Sequence, residues 1–358
     1  MNIWFAADIA SESRGGIARS MQGFSEGLRK LGHETAVVTN APHKAGGFLR
    51  FAAVLAGRLF LARKHPPDWI VARSTDGVGC VIVIKALGLK TRIALHNHGW
   101  EENVYEIERR LPGDLVFPKT TWRARLVRFP LLRACLSGCA TCLCGTLMEI
   151  KWLKNNYPRH GRKIRYVPNG VQLPERGYWI DQTEHPLHFL AVGGLTWKKN
   201  LGHTIAVFKE IARQRPECRL FLVGGGKDGS LFPHSFPGEI TVVPDVGPGE
   251  MAAWYARCPY LISSSRYEGG HSFALLEAMS QGCVVCASAI FSSMEIIRDR
   301  RNGVLISGAD ASSDAAAIMA ALGDRELLAS MRRRAFSTAF RHRWERQAKR
   351  MERSLCQG

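Results

Sequence analysis

The stretch SSSRYEGGHSFALLEAMSQGCVVCAS, Ser263–Ser288, reads as strand, turn, helix, turn and strand. An apolar run ends in small polar residues, Gly269 and Gly270 free the backbone, and FALLEAM is built from helix formers. Gln281-Gly282 then returns the chain to a second β-branched run, Val284–Ala287. Two such strands joined through a helix imply a crossover connection in a parallel sheet. The same stretch carries chemistry. His271 and Ser272 fall near the helix start, where main-chain N–H groups can bind a diphosphate. Glu277 lies two turns in and can accept hydrogen bonds from ribose hydroxyls, while Glu268 in the preceding turn can hold the hydroxyls of a sugar. A surface salt bridge explains either glutamate singly; the pair bracketing a Gly-Gly turn is harder to explain that way.

The alternation extends in both directions. Strands are predicted at Asn2–Ala6, Thr35–Thr39, Trp69–Ala72, Arg92–His96, Thr141–Cys144 and Ile164–Val167. The pattern restarts at Leu187–Val192, Arg219–Val223, Glu239–Val243, Pro259–Ser263, Val284–Ala287 and Gly303–Ile306. Strands alternating with helices give an α/β fold with parallel sheets covered on both faces, here expected twice. The polar, Pro- and Gly-containing Pro168–Pro186 reads as a linker. The expected division is an amino-terminal Rossmann-like domain over 1–175, a second over 176–335 and a closing helix over 336–358. The last segment, about Glu326 to Leu355, reads as helix, and Met331–Arg353 carries nine Lys/Arg against Glu345 and Glu352. Each doubly wound sheet offers a ligand crevice at the carboxyl ends of its strands. Two such domains facing one another would form a cleft.

Other glycine turns are placed to meet anions. In SRGGIARS, Ser13–Ser20, Gly15 and Gly16 precede the first helix, whose N-terminus is a positive dipole end. VGGLTWKKN, Val192–Asn200, holds the equivalent place in the second half and adds Lys198 and Lys199 to Gly194. VGGGKDG, Val223–Gly229, has the wrong glycine spacing for a dinucleotide fingerprint. Tight strand-to-helix turns explain each of these as readily as an anion site does.

Taken together, these segments resemble the family 4 glycosyltransferases, which have the GT-B fold. Ser263–Ser288 is similar to that family's donor-binding signature, and GGIARSMQGFSEGLRKLGHETAVVT to its amino-terminal turn, helix and second strand. HNHGWEENVYEIE, His96–Glu108, resembles its His-Gly-x-Glu loop, VPNGVQLP its Asn-Gly-Val element, WKKNL its phosphate-binding lysine turn, and HRWERQAKRM its returning helix. The resemblance implies a retaining, metal-independent transferase that uses a UDP- or GDP-linked sugar as co-substrate and no other cofactor. By it, Gly16 lies beside the donor phosphates and Lys199 neutralises their developing charge. His98 faces the donor sugar near the acceptor, Glu268 binds that sugar, and Glu277 binds the ribose. Gly194 stands where the family usually has Arg, and eight residues separate Glu268 from Glu277 where the family has seven.

The charge balance also implies an anionic partner. The 358-residue chain has 49 Lys/Arg against 31 Asp/Glu, a formal net charge of +18. Arg109–Arg133 concentrates seven Lys/Arg against Asp114 alone and interleaves them with Trp122, Leu126 and Phe129. Its Trp122, Arg123, Arg125 and Arg128 are expected either to meet an anionic membrane beside a lipid-linked acceptor or to be the solvated side of an ordinary helix. No apolar run approaches the ~20 residues of a membrane span. Phe51–Ala62 and Val78–Leu89 are short and broken by Arg58 and Lys85. The chain opens on an apolar strand, so a cytoplasmic, membrane-peripheral location is expected. Cys135, Cys139, Cys142 and Cys144 sit among small and apolar neighbours and read as core rather than as metal or redox ligands.

The family resemblance, together with the basic-aromatic stretch, implies a glycan or lipid-linked acceptor in bacterial surface-polysaccharide or lipopolysaccharide synthesis. A degenerate GT-B scaffold and a GT-B sugar epimerase are the alternatives. Nucleic-acid binding lacks a recognition-helix, zinc or aromatic-sheet signature.

Overall fold

The computed structural model describes residues 1–11, 15–40, 47–110, 124–174, 187–194, 196–224 and 239–357. They divide into two compact units, Met1–Gly170 with Trp344–Gly358, and Val171–Arg343.

The first unit runs β1 (Asn2–Ala10), α1 (Gly16–Lys30), β2 (Glu34–Asn40), α2 (Phe48–Leu61), β3 (Trp69–Ala72), α3 (Val78–Leu87) and β4 (Arg92–Asn97). It continues with α4 (Glu101–Glu108), α5 (Phe129–Gly138), β5 (Thr141–Cys144), α6 (Leu147–Asn156) and β6 (Ile164–Tyr166). The six strands form one parallel sheet in the order β2-β1-β3-β4-β5-β6. Side chains alternate across it as the two-residue strand period requires. Ile3, Phe5, Trp69 and Val71 face α1, while Ala6, Ile70, Ala72 and Leu95 face α2 and α5. Central β3 and β5 are buried at every residue, as expected of a parallel sheet covered twice, whereas the edge strand β2 is largely open.

The second unit repeats the plan with β7 (His188–Val192), α7 (Leu201–Gln214), β8 (Arg219–Val223), β9 (Ile240–Val243), α8 (Pro248–Arg257) and β10 (Tyr260–Ser263). It closes with α9 (Phe273–Ser280), β11 (Val284–Ser288), α10 (Phe291–Met294), β12 (Val304–Ile306), α11 (Ala311–Leu322) and α12 (Arg325–Arg341). Its parallel sheet has the order β12-β11-β10-β7-β8-β9. Phe189, Leu220 and Ile262 pack toward α7 and α11. Leu190, Leu261 and Val285 pack toward α8, α9 and α12.

The final helix, α13 (Trp344–Cys356), belongs to the first unit. The helical segment expected over Glu326–Leu355 is helical as two elements, separated at His342 and Arg343. There the His342 carbonyl accepts a hydrogen bond from the Val171 N–H, and Arg343 bridges Val171. The second unit thus ends at Arg343 rather than at 335.

Glycines seat α13. A Cβ on Gly23 would fall 2.3 Å from the Trp344 ring, and one on Gly170 would also fall 2.3 Å from it. Glycine inside a helix costs ~0.5–1 kcal/mol relative to alanine. Gly23 lies mid-way along α1 and there admits the indole, which meets Phe24 edge-on at 5.2 Å. Cys135, Cys139, Cys142 and Cys144 are all buried in the core, and burial pushes the thiols of Cys135 and Cys139 up to about 12.

Candidate active site

In an open parallel sheet a ligand crevice forms where neighbouring strands send their connections in opposite directions. In the second unit that point lies between β7 and β10, since the chain runs outward through β8 and β9 before crossing back to β10. The turns after these two strands are the lysine turn and the glutamate turn.

The lysine turn leaves β7 through Gly193, whose φ of +139° disfavours a side chain. It reaches α7 through Asn200, a left-handed N-cap at φ 49°. A Cβ on Gly193 would fall 3.1 Å from Lys199 Cγ, so the bare glycine lets the lysine stem lie along the backbone. Lys199 Nζ ends 2.5 Å from Glu268 Oε1, which also accepts a hydrogen bond from Ser265 Oγ at 2.9 Å. The Arg266 N–H donates to the Lys198 carbonyl at 2.8 Å and ties the two turns together. Lys198 Nζ stands over the Tyr267 ring at 5.3 Å and the Trp197 ring at 5.7 Å. Among the described residues, a Cβ on Gly194 would meet only the Gly224 carbonyl oxygen, at 3.9 Å.

Ser272 is the N-cap of α9, its hydroxyl makes no capping hydrogen bond, and the first turn carries no acid. That arrangement suits an incoming anion at a dipole-positive helix end. The His271 imidazole turns inward, with Nε2 3.1 Å from Glu295 Oε2 and its ring 5.1 Å from that of His342. His271 therefore brings its main chain, not its ring, to the helix start. Glu277 accepts a hydrogen bond from the buried Tyr255 hydroxyl at 3.0 Å. Tyr255 and Ser265 are the residues that sequence reasoning missed here; Tyr255 lies outside the quoted stretch, and Ser265 lies within it as one of three consecutive serines with nothing to single it out.

The first unit has its own switch point, between β1 and β3. Gly15 caps α1 in an extended conformation, has no side chain of its own to cap with, and no acid sits in the first turn of Gly16–Arg19. The Asp8 N–H donates to Asp76 Oδ2 at 2.8 Å, and burial raises the Asp76 carboxyl to about 6. His98 follows β4 with its ring 4.6 Å from that of His96. Burial, helped by the neighbouring His96 and Arg73 charges, holds His98 well below its ordinary value, so it is a neutral hydrogen-bonding group at physiological pH. Beyond it, Glu101 accepts from Ser74 Oγ at 2.8 Å and pairs with Arg128 at 2.7 Å. Ser74 holds a left-handed φ of 47°, the kind of local strain that gathers at functional sites. Glu149, wholly buried at the start of α6, is pushed by burial up to about 8, opposed by the main-chain N–H groups of Trp100, Gly145 and Gly99. Neither Asp76 nor Glu149 was singled out from sequence, because neither belongs to the motifs quoted there and burial cannot be read from its neighbours.

Of the basic patch, Trp122 and Arg123 lie outside the described residues. Arg125 is exposed, with its guanidinium 5.1 Å from the centre of the Tyr105 ring. Arg128 is tied to Glu101, so its charge is partly spent inside the first unit. No helix among the described residues is long and apolar enough to cross a membrane.

Residues 14–174 match the family described as Glycosyltransferase Family 4, and residues 186–324 match Glycosyl transferases group 1. The chain belongs to the family 4 glycosyltransferases. No curated protein matches it in sequence. Among solved structures, this glycosyltransferase is similar to sucrose-phosphate synthase from Thermosynechococcus elongatus, with 17% identity, TM-score 0.75, and 98% and 97% of the two chains covered. It is also similar to Anabaena HepE in complex with UDP-glucose, at 14% identity, TM-score 0.70 and 99% of both chains. The lipopolysaccharide outer core galactosyltransferase WaaB aligns at 14% identity, TM-score 0.67 and 99% of both chains. These likenesses place the glycosyltransferase in the GT-B fold.

Proposed function

We propose that this glycosyltransferase transfers a sugar from a UDP- or GDP-linked donor with retention of configuration and without a metal ion. The acceptor is a glycan or lipid-linked precursor of a bacterial surface polysaccharide or lipopolysaccharide, used at the inner face of an anionic cytoplasmic membrane. The observation that carries the reading is the meeting of Lys199 with Glu268 at the β7/β10 switch point, in the turn that leads to the N-terminus of α9. The complex of HepE with UDP-glucose and the galactosyltransferase activity of WaaB support the donor class and the setting.

The chemistry follows from these groups. Departure of a nucleoside diphosphate builds negative charge on the leaving phosphate. Lys199, Lys198 and the α9 N–H groups at Ser272 and beyond would stabilise it, and Gly15 and Gly16 at the start of α1 are assigned to the donor phosphates by the family resemblance. Preorganised donors of this kind contribute roughly 3–4 kcal/mol each in a site that excludes water. Glu268, held by Lys199 and Ser265, presents its second oxygen to sugar hydroxyls. Glu277, braced by Tyr255, is positioned for the ribose. His98, being neutral, exchanges hydrogen bonds with a sugar hydroxyl without placing a cation beside the reacting carbon.

The reading is tested by incubating the protein with UDP- and GDP-sugars and following nucleotide release and the anomer of the freed sugar by NMR, with and without a chelator. Slow release with retained configuration, insensitive to chelator, is expected. Release of the inverted anomer, or release abolished by the chelator, contradicts it. Failure to bind any nucleoside diphosphate favours the scaffold reading.

A further inference from the structure

The sheet of the first unit is covered on one face by α2, α3 and α5, whose inner sides give Phe51, Leu55 and Leu132 to the core. The outer sides of α2 and α3 are apolar as well. Leu49, Val54, Phe60 and Leu61 on α2 are 55%, 44%, 46% and 78% exposed, and Ile82 and Leu87 on α3 are 65% and 41% exposed. The two helices lie tightly together, since a Cβ on Gly79 would fall 2.4 Å from the Ala52 carbonyl oxygen. Single exposed apolar side chains need no explanation, but a two-helix face of them does.

The charges on this face have one sign. No Asp or Glu occurs between Gly47 and Pro67 or between Val78 and Thr91. Arg50, Arg58, Arg63, Lys64, Lys85 and Lys90 are all exposed in the same two segments. Long cationic side chains flanking apolar ones, with no carboxylate among them, match a layer of anionic headgroups over acyl chains. The cations reach the phosphates while the apolar side chains enter the boundary.

We infer that the outer face of α2 and α3 is the surface by which this protein rests on an anionic lipid bilayer. The contact deepens the reading of a membrane-borne acceptor and rests on it for its purpose. It rests on helices whose primary packing leaves their apolar side uncovered, and not on Arg109–Arg133.

The test floats the full-length protein with vesicles of phosphatidylcholine alone or of phosphatidylcholine mixed with phosphatidylglycerol, with no donor or acceptor present. Binding is expected only with phosphatidylglycerol and is weakened by salt. The double variants Phe60→Ser/Leu61→Ser and Arg58→Glu/Lys85→Glu change exposed residues and should each weaken it roughly tenfold or more. Equal binding to both vesicles, or wild-type binding by both variants, overturns the inference. So does a wild-type dimer in light scattering that the first variant converts to monomer, which assigns the face to a second copy. UDP and GDP binding, measured on the same samples, separates the two proposals. Its absence with vesicle binding intact sinks the donor reading alone, and its presence without vesicle binding sinks this one alone.

Discussion

Lys199 Nζ lies 2.5 Å from Glu268 Oε1, and the two residues come from turns that follow adjacent parallel strands. Their side chains are 25% and 18% exposed, so neither charge is fully hydrated and each depends on the other. Lys199→Ala is expected to lower the transfer rate by ~100-fold or more, the scale of removing one preorganised charge-stabilising donor. A thermal double-mutant cycle with Glu268→Gln checks the pairing. The glutamine should restore part of the stability lost in Lys199→Ala, because it removes the unpaired carboxylate. Strict additivity contradicts the coupling.

Tyr255→Phe removes the hydroxyl that braces Glu277 while keeping the ring in the core. Loss of about 1 kcal/mol of hydrogen bonding should weaken nucleoside diphosphate binding several-fold. Competition between UDP and free diphosphate locates the effect: the variant should lose affinity for the nucleotide and keep it for diphosphate. Equal losses would place Glu277 away from the ribose.

Gly194→Arg introduces the side chain that the family usually carries at this position, where a Cβ meets nothing closer than 3.9 Å among the described residues. The melting temperature should stay near that of wild type, as for ordinary surface changes of ~0.5 kcal/mol. Nucleoside diphosphate affinity should rise about tenfold if the guanidinium makes a charge-assisted hydrogen bond. Unchanged affinity would mean that the position does not face the phosphates.

The donor-side plan is largely legible in the chain. All twelve strands lie where apolar periodicity and turn residues place them, with shifts of a few residues at their ends. The Gly-rich turns announce Lys199, Glu268 and the start of α9, because backbone freedom and charge occur together there. The break at His342 was not legible, since RHRW contains no glycine or proline and its stop is set by main-chain pairing with distant Val171. Side-chain direction was equally hidden. The His271 ring faces Glu295, and Arg128 faces Glu101, both through partners remote in sequence.

Gly23→Val should destabilise the first unit by ~1–3 kcal/mol or more through overpacking against Trp344. Chemical denaturation reads this directly, and Trp344 fluorescence should report the loosened α13. A smaller effect than that of Gly57→Val, where the space beside the glycine is open, would contradict the slot.

Glu149 gives a pH signature. Its folded carboxyl is raised from 4.5 to about 8 by burial, so the folded state holds the proton more tightly than the unfolded state. Its contribution is complete below the unfolded value and is lost as pH rises from about 4.5 to about 8. Glu149→Gln, which mimics the protonated form, should flatten the decline of the melting temperature across that window. An unchanged slope would show that the carboxyl is ionised in the fold.

The central claim, that Lys199 and its neighbours form a nucleoside diphosphate site, is tested most directly by titration calorimetry with UDP and GDP on wild type and Lys199→Ala. The account predicts saturable one-to-one binding of one of the two nucleotides, weakened at least tenfold by the substitution with the fold intact. Binding of neither nucleotide, or equal affinity in both proteins, would contradict it.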